Sequence, residues 1–284
     1  MTRTLPGGSV ASALAALRRD LASRERVVVA FSGGADSALL AHVASAVLGP
    51  RAIAVTAVSP SLPESERLAA AAFAQRHGIA HVQVHTDEGT RPAYVANNAD
   101  RCYHCKSALL DALAPLALML DAQIAIGSIV DDLGDHRPGQ VAASERGAVT
   151  PLVAAGITKE LVRALSTHLG LETAEKPAAA CVASRVAYGE PVTAELLACI
   201  DAAEQAVKAL GFPVCRVRAH GGRTVARLEV PAADIDRAVA HRSALEVAIR
   251  AAGFQFVSLD LRGFVSGSLN VMLGLPVLRA EAAG

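Results

Sequence analysis

The first part of the chain alternates short apolar runs with stretches of helical pattern. Residues 27–31, VVVAF, form a β-branched run that predicts a strand buried on both of its faces. A helical pattern follows over 38–47, and the same order recurs downstream. The later predicted segments are strands at 53–58, 81–85 and 123–127 and helices at 64–77 and 106–120. This alternation predicts an α/β fold with a doubly wound parallel sheet, in which ligands bind beyond the carboxyl ends of the strands.

The pattern changes near residue 175. Beyond a linker that contains proline and glycine, residues 176–192, the spacing predicts a smaller α+β region. Its predicted elements are helices at 193–210 and 232–252 and strands at 214–218, 224–230 and 256–261. We therefore expect two domains, one over residues 1–175 and a second, smaller one over residues 176–284.

Composition narrows the class of protein. Apolar residues make up 52% of the 284 residues. The sequence contains no run of about 18 uncharged apolar residues, so we expect no membrane span. The 27 basic residues balance 27 acidic residues, which argues against a nucleic-acid partner. Arg18, Arg19 and Asp20 favour an amphipathic N-terminal helix over a signal peptide. We therefore expect a cytoplasmic protein, in which five cysteines favour thiol or metal chemistry over disulfides.

A loop rich in glycine and serine, residues 32–37 (SGGADS), joins the first predicted strand to the first helix. Such a turn presents backbone N–H groups and the positive end of a helix dipole to an anion, and phosphate is the expected ligand. The loop lacks the lysine of a Walker A motif, and it resembles the PP-loop of ATP pyrophosphatases. In that family Asp36 would help to hold Mg²⁺. The resemblance implies that the following residues bind ATP: Ser32, Gly33, Gly34, Asp36 and Ser37.

A polar loop follows the strand predicted at 123–127. Its candidate residues are Asp131, Asp132, Asp135 and Arg137. Clustered carboxylates beside a triphosphate suit Mg²⁺, and an arginine suits a phosphate or a carboxylate. The alternative is a solvated polar loop without a ligand.

Two stretches contain cysteines with candidate chemistry. Cys102-x-x-Cys105 precedes a predicted helix and is compatible with metal binding, redox chemistry or packing, although a zinc site would need a second pair. Cys181 lies on the linker beside Ser184 and Arg185, where a nearby cation favours the nucleophilic thiolate. A buried structural cysteine is the alternative at position 181.

Two arginines, Arg216 and Arg218, share one face of a predicted strand because side chains alternate along a strand with a period of two. Parallel guanidinium groups suit an anionic ligand. The alternative is a solvated face whose arginines have no ligand.

Taken together, these stretches resemble the LarE family of ATP-dependent sulfur transferases over nearly the whole chain. The motifs that carry the resemblance are, in order, the PP-loop, RCYHCKSALLDAL, DDLGDHRPG, KPAAACVASRVAYG, RVRAHGG with ARLEV, and LDLRGFVSGSLN. The resemblance implies that a carboxylate of pyridinium-3,5-biscarboxylic acid mononucleotide is adenylated, with release of pyrophosphate. Cys181 would then attack the acyl-adenylate and give up its sulfur, leaving dehydroalanine.

The same resemblance implies further contacts and an assembly. Members of the family form hexamers, so we expect a homo-oligomer. The residues that match the family's substrate-phosphate positions, or stand beside them, are Ser184, Arg185, Arg216 and Arg218.

The source of the sulfur is open at this point. Some members of the family carry three cysteines that hold a [4Fe–4S] cluster, and the candidates here are Cys181, Cys199 and Cys215. Three thiolates would leave one iron free to bind sulfide. Strand alternation directs Cys215 away from Arg216, which favours the sacrificial mode.

Two different functions also remain compatible with the loop and the cysteines. One is a PP-loop enzyme that thiolates tRNA, although the balanced charge does not favour it. The second is a nucleotide-binding module without catalysis, in which Asp36 and Cys181 would have no chemical role.

Overall fold

The structure, a computed structural model, describes residues 7–134, 138–177, 180–265 and 268–273. Its chain divides into two compact units. The first unit contains the described chain up to Glu88 together with Cys102–Ala180, and the second contains Gly89–Arg101 and the described chain from Cys181 onward. The segment 89–101 thus belongs to the second unit, whereas a single boundary near residue 175 would leave it in the first.

Strands and helices cover most of the described residues. The strands are β1 (Val27–Ala30), β2 (Ala52–Val58), β3 (His81–His85), β4 (Gln123–Ala125), β5 (Arg216–His220), β6 (Val225–Glu229) and β7 (Phe256–Leu259). The α-helices are α1 (Gly7–Ala22), α2 (Ala35–Leu48), α3 (Glu64–Arg76), α4 (Pro92–Val95), α5 (Arg101–Leu120), α6 (Pro138–Glu145), α7 (Pro151–Ala154), α8 (Lys159–His168), α9 (Ala194–Ala209), α10 (Ile235–Ala240) and α11 (Arg242–Ala251).

The first unit is built on a parallel sheet, with the strand order β3-β2-β1-β4 in the described residues. Both faces of β1 are buried, as the apolar run predicts. Val27 and Val29 join one hydrophobic cluster, and Val28 and Ala30 join the other. The predicted α/β fold with a parallel sheet is therefore confirmed.

Helices cover both faces of this sheet. The first cluster includes buried side chains of α1, α2, α3 and α8, and the second includes Leu110 and Leu113 of α5. The chain therefore crosses to the opposite face between β3 and β4, so the ends of β1 and β4 form a point where the winding reverses. In parallel α/β sheets such a point is the usual ligand site.

The second unit contains a smaller mixed sheet with the order β5-β6-β7. β5 and β6 are antiparallel, whereas β6 and β7 are parallel. Helix α9 packs against β5 and α11, and buried residues such as Ile200, Val207 and Ile249 fill this layer. The predicted smaller α+β region is present.

Two predicted helices have different limits in the structure. The helix expected over 232–252 is interrupted at His241, whose N–H donates to the carbonyls of both Arg237 and Ala238 and separates α10 from α11. Helix α5 begins at Arg101, so Cys102 and Cys105 lie inside its first turns rather than before it. Among the described residues, no helix is long and apolar enough to span a membrane.

Candidate functional site

The PP-loop connects β1 to α2 through a tight turn. Gly33 has a φ of 73°, and a Cβ there would lie 3.0 Å from the Cβ of Ala70, so both backbone conformation and space favour glycine. The hydroxyls of Ser32 and Ser37 lie 3.1 Å apart, and the Ser37 hydroxyl donates to the carbonyl of Gly34. The serines thus organise the loop in addition to offering polar atoms to a ligand.

The start of α2 is an anion-binding arrangement. Gly34 occupies the position before the helix, and within the described chain no side chain caps the helix there. The first amides of a helix have no partner inside it, and the helix dipole makes this end positive. Asp36 lies in this first turn, with its side chain about one-third exposed at 32%. The sequence prediction of a phosphate cradle fits this geometry.

Two lysines that the sequence analysis missed flank the loop. The Nζ of Lys159, at the start of α8, lies 2.7 Å from Oδ1 of Asp36. The Nζ of Lys176 donates to the carbonyl of Gly33 at 2.9 Å and to Glu66 at 2.6 Å. Lys159 lies 123 residues from Asp36 in sequence, so no local pattern signals the contact.

In the described part of the loop after β4, the carboxylates of Asp131 and Asp132 accept backbone N–H groups. Oδ2 of Asp131 accepts the N–H of Lys159 at 2.9 Å, and Oδ2 of Asp132 accepts the N–H of Ile129 at 3.0 Å. Asp135 and Arg137, the remaining two candidates, lie outside the described residues.

In the second unit, Cys181 begins a turn that we call the cysteine turn, residues 181–187. It contains the 3₁₀-helix Val182–Arg185, and Cys181 itself is half-buried. The Ser184 hydroxyl donates to the Cys181 carbonyl at 2.8 Å, and Nη1 of Arg185 donates to the same oxygen at 2.9 Å. Both candidates beside Cys181 thus contact its backbone.

The arginines around this turn differ in their partners. Arg185 forms a two-pronged ion pair with Glu204, and both side chains are buried. Arg218 pairs with the fully buried Glu229 and donates to the carbonyl of Ser184 at 3.0 Å. Both guanidinium groups are therefore already neutralised by carboxylates.

Arg216 is different. Its Nη1 donates to the carbonyl of Cys215, and its Cζ lies 5.0 Å from the ring centre of Phe264, but it forms no ion pair within the described residues. Burial lowers its pKa first of all, and the nearby charges of Arg185 and Arg218 lower it further. The three arginines at positions 185, 216 and 218 carry three positive charges, whereas Glu204 and Glu229 carry two negative charges. One positive charge of this group is therefore unbalanced.

The three cysteines considered for a [4Fe–4S] cluster do not form a metal-binding group in the described residues. Among the described residues, no three His, Cys, Asp or Glu side chains are grouped closely enough to hold a metal ion. Cys215 is fully buried against the carbonyl of Glu204, and burial raises the pKa of its thiol to about 12. The Sγ of Cys199 instead faces Gly253. The alternative of a [4Fe–4S] cluster on Cys181, Cys199 and Cys215 therefore stays a prediction, and the arrangement of the thiols in the described residues does not favour it.

The remaining two cysteines lie on α5 in the first unit. Cys102 is exposed and Cys105 is half-buried. Beside them, burial lowers the pKa of Lys106, whereas the cysteines and Asp132 act in the opposite direction. No described residue adds a third metal ligand to this pair.

In the first unit, the buried strand β1 of a parallel sheet continues through a glycine–serine loop into α2, which has no side-chain cap. This arrangement defines a PP-loop protein of the ATP-using class. A family model described as asparagine synthase matches residues 11–120. The chain is 45% identical to an uncharacterised protein of Synechocystis, over 92% of this chain and 98% of that protein. It is 37% identical to pyridinium-3,5-bisthiocarboxylic acid mononucleotide synthase of Lactiplantibacillus plantarum, over 92% of this chain and 95% of the synthase. The chain therefore belongs to the LarE family.

Proposed function

We propose that this protein activates a carboxylate of pyridinium-3,5-biscarboxylic acid mononucleotide with ATP and converts it to a thiocarboxylate. The name of the Lactiplantibacillus relative supports the product class. The observation that carries the proposal is the half-buried thiol of Cys181 at the head of a turn held by buried ion pairs, in a group of arginines with one unbalanced positive charge. A nucleophile and an anion-binding group then belong to the same unit.

The PP-loop serves the activation step. The substrate carboxylate attacks the α-phosphate of ATP, the bond between the α- and β-phosphates breaks, and pyrophosphate leaves with the acyl-adenylate still to react. The N–H groups at the start of α2 and the hydroxyls of Ser32 and Ser37 hold the β- and γ-phosphates. The ammonium of Lys159 leaves Asp36 and binds the triphosphate, which is a more highly charged anion than one carboxylate. Asp36 is then available for the Mg²⁺ that accompanies ATP.

The donor set at this loop is compatible with Mg²⁺ that arrives with the nucleotide. The protein offers the half-buried carboxylate of Asp36 and no cluster of three metal-binding side chains within the described residues. Mg²⁺ is commonly held by one or two carboxylates together with substrate phosphates. When bound, the ion would offset negative charge on the phosphates, with Asp36 as its protein ligand.

The thiolate of Cys181 serves the second step. It attacks the carbonyl carbon of the acyl-adenylate, AMP leaves, and a thioester forms. A base then removes the Cα proton of Cys181, the Cβ–S bond breaks, and sulfur leaves as the thiocarboxylate while the residue becomes dehydroalanine. Each chain is consumed in this sacrificial mode.

The phosphate of the mononucleotide binds at Arg216 and the Ser184 hydroxyl. Arg216 is the guanidinium in the group whose charge no described carboxylate balances, and charge-assisted hydrogen bonds to phosphate are strong. Arg185 and Arg218, both neutralised by carboxylates, act on the turn instead. The protein is further proposed to work in the cytoplasm as a homo-oligomer, with a hexamer expected from the family.

The test combines pyrophosphate release with intact mass. The parental protein, given ATP, Mg²⁺ and the biscarboxylic mononucleotide, should release pyrophosphate and lose the mass of H₂S at Cys181. Cys181→Ala should still release pyrophosphate but form no thiocarboxylate, because its role follows activation.

The matched controls are Cys199→Ser and Cys215→Ser, which should retain the single turnover. Several product equivalents per chain with an unchanged Cys181 mass would contradict the sacrificial mode. Thiocarboxylate formation by Cys181→Ala at the parental rate would contradict the role of Cys181 altogether.

A further inference from the structure

We propose that Arg101, together with Asn97, is a positioning residue for Cys181. The pair holds the backbone of the cysteine turn so that the thiol attacks the acyl-adenylate faster than water hydrolyses it. This inference rests on the proposed function for its chemistry and on the contacts of the second unit for its geometry. Neither residue was singled out by the sequence analysis.

The segment that carries the pair is part of the second unit although it lies 80 or more residues before the turn. Residues 89–101 include α4 and belong to the unit that begins again at Cys181. The N–H of Val192 donates to the carbonyl of Val95 at 2.9 Å, and the N–H of Gly189 donates to the carbonyl of Asn97 at 3.1 Å. Backbone hydrogen bonds thus attach the segment to the chain that follows the cysteine turn.

Asn97 contributes a fully buried side chain. It has no exposed surface, and its φ of 55° lies in the left-handed region that asparagine tolerates better than most residues. Its Nδ2 donates to the carbonyl of Ala187 at 2.8 Å. Asn97 therefore holds the far end of the cysteine turn.

Arg101 contributes a buried cation, only 4% exposed. Its Nη1 donates to Oδ1 of Asn97 at 2.6 Å and to the carbonyl of Ala183 at 2.9 Å. Its Cζ lies 5.9 Å from the ring centre of Tyr188. A planar guanidinium with several donors in fixed directions can bridge a side chain and a carbonyl in this way, whereas a lysine ammonium is a single flexible point.

The turn is consequently held by two sets of contacts. Arg185 and Arg218 hold the carbonyls of Cys181 and Ser184, and the Asn97–Arg101 pair holds those of Ala183 and Ala187. The carbonyls of Ala183 and Ser184 thus accept from donors 82 and 34 residues away in sequence, whereas the carbonyl of Cys181 accepts from residues of the turn itself. The direction of the thiol follows from this backbone.

Loss of the pair should separate the two half-reactions. A displacement of about 1 Å at a reacting group can cost on the order of 100-fold in rate. The activation step does not use Cys181, so pyrophosphate release should continue while the acyl-adenylate is lost to water. The ratio of thiocarboxylate to pyrophosphate therefore reports the position of the thiol.

The experiment uses Asn97→Gly and Arg101→Lys in the full chain. Glycine accepts the left-handed backbone at position 97 and removes only the side-chain contacts, and lysine keeps the charge at position 101 but loses the fork. Each variant should lower the ratio of thiocarboxylate to pyrophosphate at least about 10-fold, with pyrophosphate release within about twofold of the parent. Arg237→Lys is the matched control, because Arg237 also donates to a backbone carbonyl, that of Gly211, in the same unit.

A second readout does not depend on the proposed reaction. The rate at which iodoacetamide modifies Cys181 should change at least about fivefold in both variants, while the rate at the exposed Cys102 of the same molecules stays constant. Parental ratios and parental Cys181 rates in both variants would overturn the positioning role. An equal effect in Arg237→Lys, or an equal change at Cys102, would also overturn it, since general loosening would then explain the result. Absence of pyrophosphate release from the parental protein would refute the proposed function alone, and the alkylation rates would still decide the positioning role.

Discussion

Arg216 and Arg218 stand two positions apart on β5 and face the same side, yet their guanidinium groups have different partners. Arg218 is only 5% exposed and pairs with Glu229, which has no exposed surface. Arg216 is half-buried and forms no ion pair among the described residues. Removing Arg218 should therefore affect the stability of the fold, and removing Arg216 should affect the binding of a ligand.

Arg216→Ala is expected to weaken binding of the mononucleotide while leaving unfolding nearly unchanged. Loss of a hydrogen bond to a charged group costs about 1.5–3 kcal/mol, or roughly 10–150-fold in affinity. Arg218→Ala should instead lower the free energy of unfolding by about 3 kcal/mol, because it removes a partner of a buried carboxylate. Calorimetric titration with the substrate and urea unfolding of both variants separate the two effects. Equal losses of affinity and stability in the two variants would contradict this division.

At the scale of elements, the loop after β4 approaches the start of α2 very closely. A Cβ at Gly127 would lie 3.0 Å from the backbone nitrogen of Ser37 and 3.1 Å from its Cα. Both atoms belong to the backbone of α2. A methyl group at position 127 would therefore push α2 and the loop after β4 apart. Gly127 therefore preserves the space in which the start of α2 and the loop after β4 meet.

Gly127→Ala should consequently weaken ATP binding and destabilise the first unit, with about 1–3 kcal/mol lost from the free energy of unfolding through overpacking. The control is Gly89→Ala, since a Cβ at Gly89 meets no atom within 4 Å. Equilibrium binding of a non-hydrolysable ATP analogue and urea unfolding are the measurements. An ATP affinity in Gly127→Ala equal to that of the control would show that the close approach does not shape the nucleotide site.

At the scale of the whole molecule, the chain passes from one compact unit to the other at 88/89, at 101/102 and at 180/181. The second unit therefore depends on a segment that precedes a large part of the first unit. Asn97 and Arg101 are the buried polar residues of that segment, and they bind carbonyls beyond residue 180. A contiguous fragment from Cys181 onward lacks these donors.

The fragment 181–284 alone should therefore unfold without a cooperative transition. The same fragment with residues 89–101 joined ahead of it by a flexible glycine–serine linker should regain one, because the buried carbonyls of the cysteine turn recover their donors. Circular dichroism during urea unfolding is the measurement. A version of the fused segment with Asn97→Gly and Arg101→Gln is the control and should behave like the fragment alone. Equal cooperativity with and without the segment would contradict its structural role.

Features that arise from neighbouring residues could be predicted without the structure. The apolar run at 27–31 predicts a strand buried on both faces, and Gly33 and Gly34 with their serines predict the tight turn before α2, because side-chain alternation and turn geometry are local. The α/β fold and the LarE family follow from such stretches in order. Helix limits were less accurate at Arg101 and His241, where hydrogen bonds at the helix ends decided the boundary.

The pairing of charged groups, by contrast, is visible only in the folded chain. The contact between Lys159 and Asp36 spans 123 residues and that between Arg101 and the Ala183 carbonyl spans 82, so nothing in the local pattern reveals either one. The surroundings of the cysteines beyond residue 180 are also tertiary features, because packing buries Cys215 and places the Sγ of Cys199 against Gly253. Burial and ion pairing depend on the fold because they arise between segments that are distant along the chain, and they distinguish Arg185 and Arg218, which pair with carboxylates, from Arg216, which forms no ion pair among the described residues.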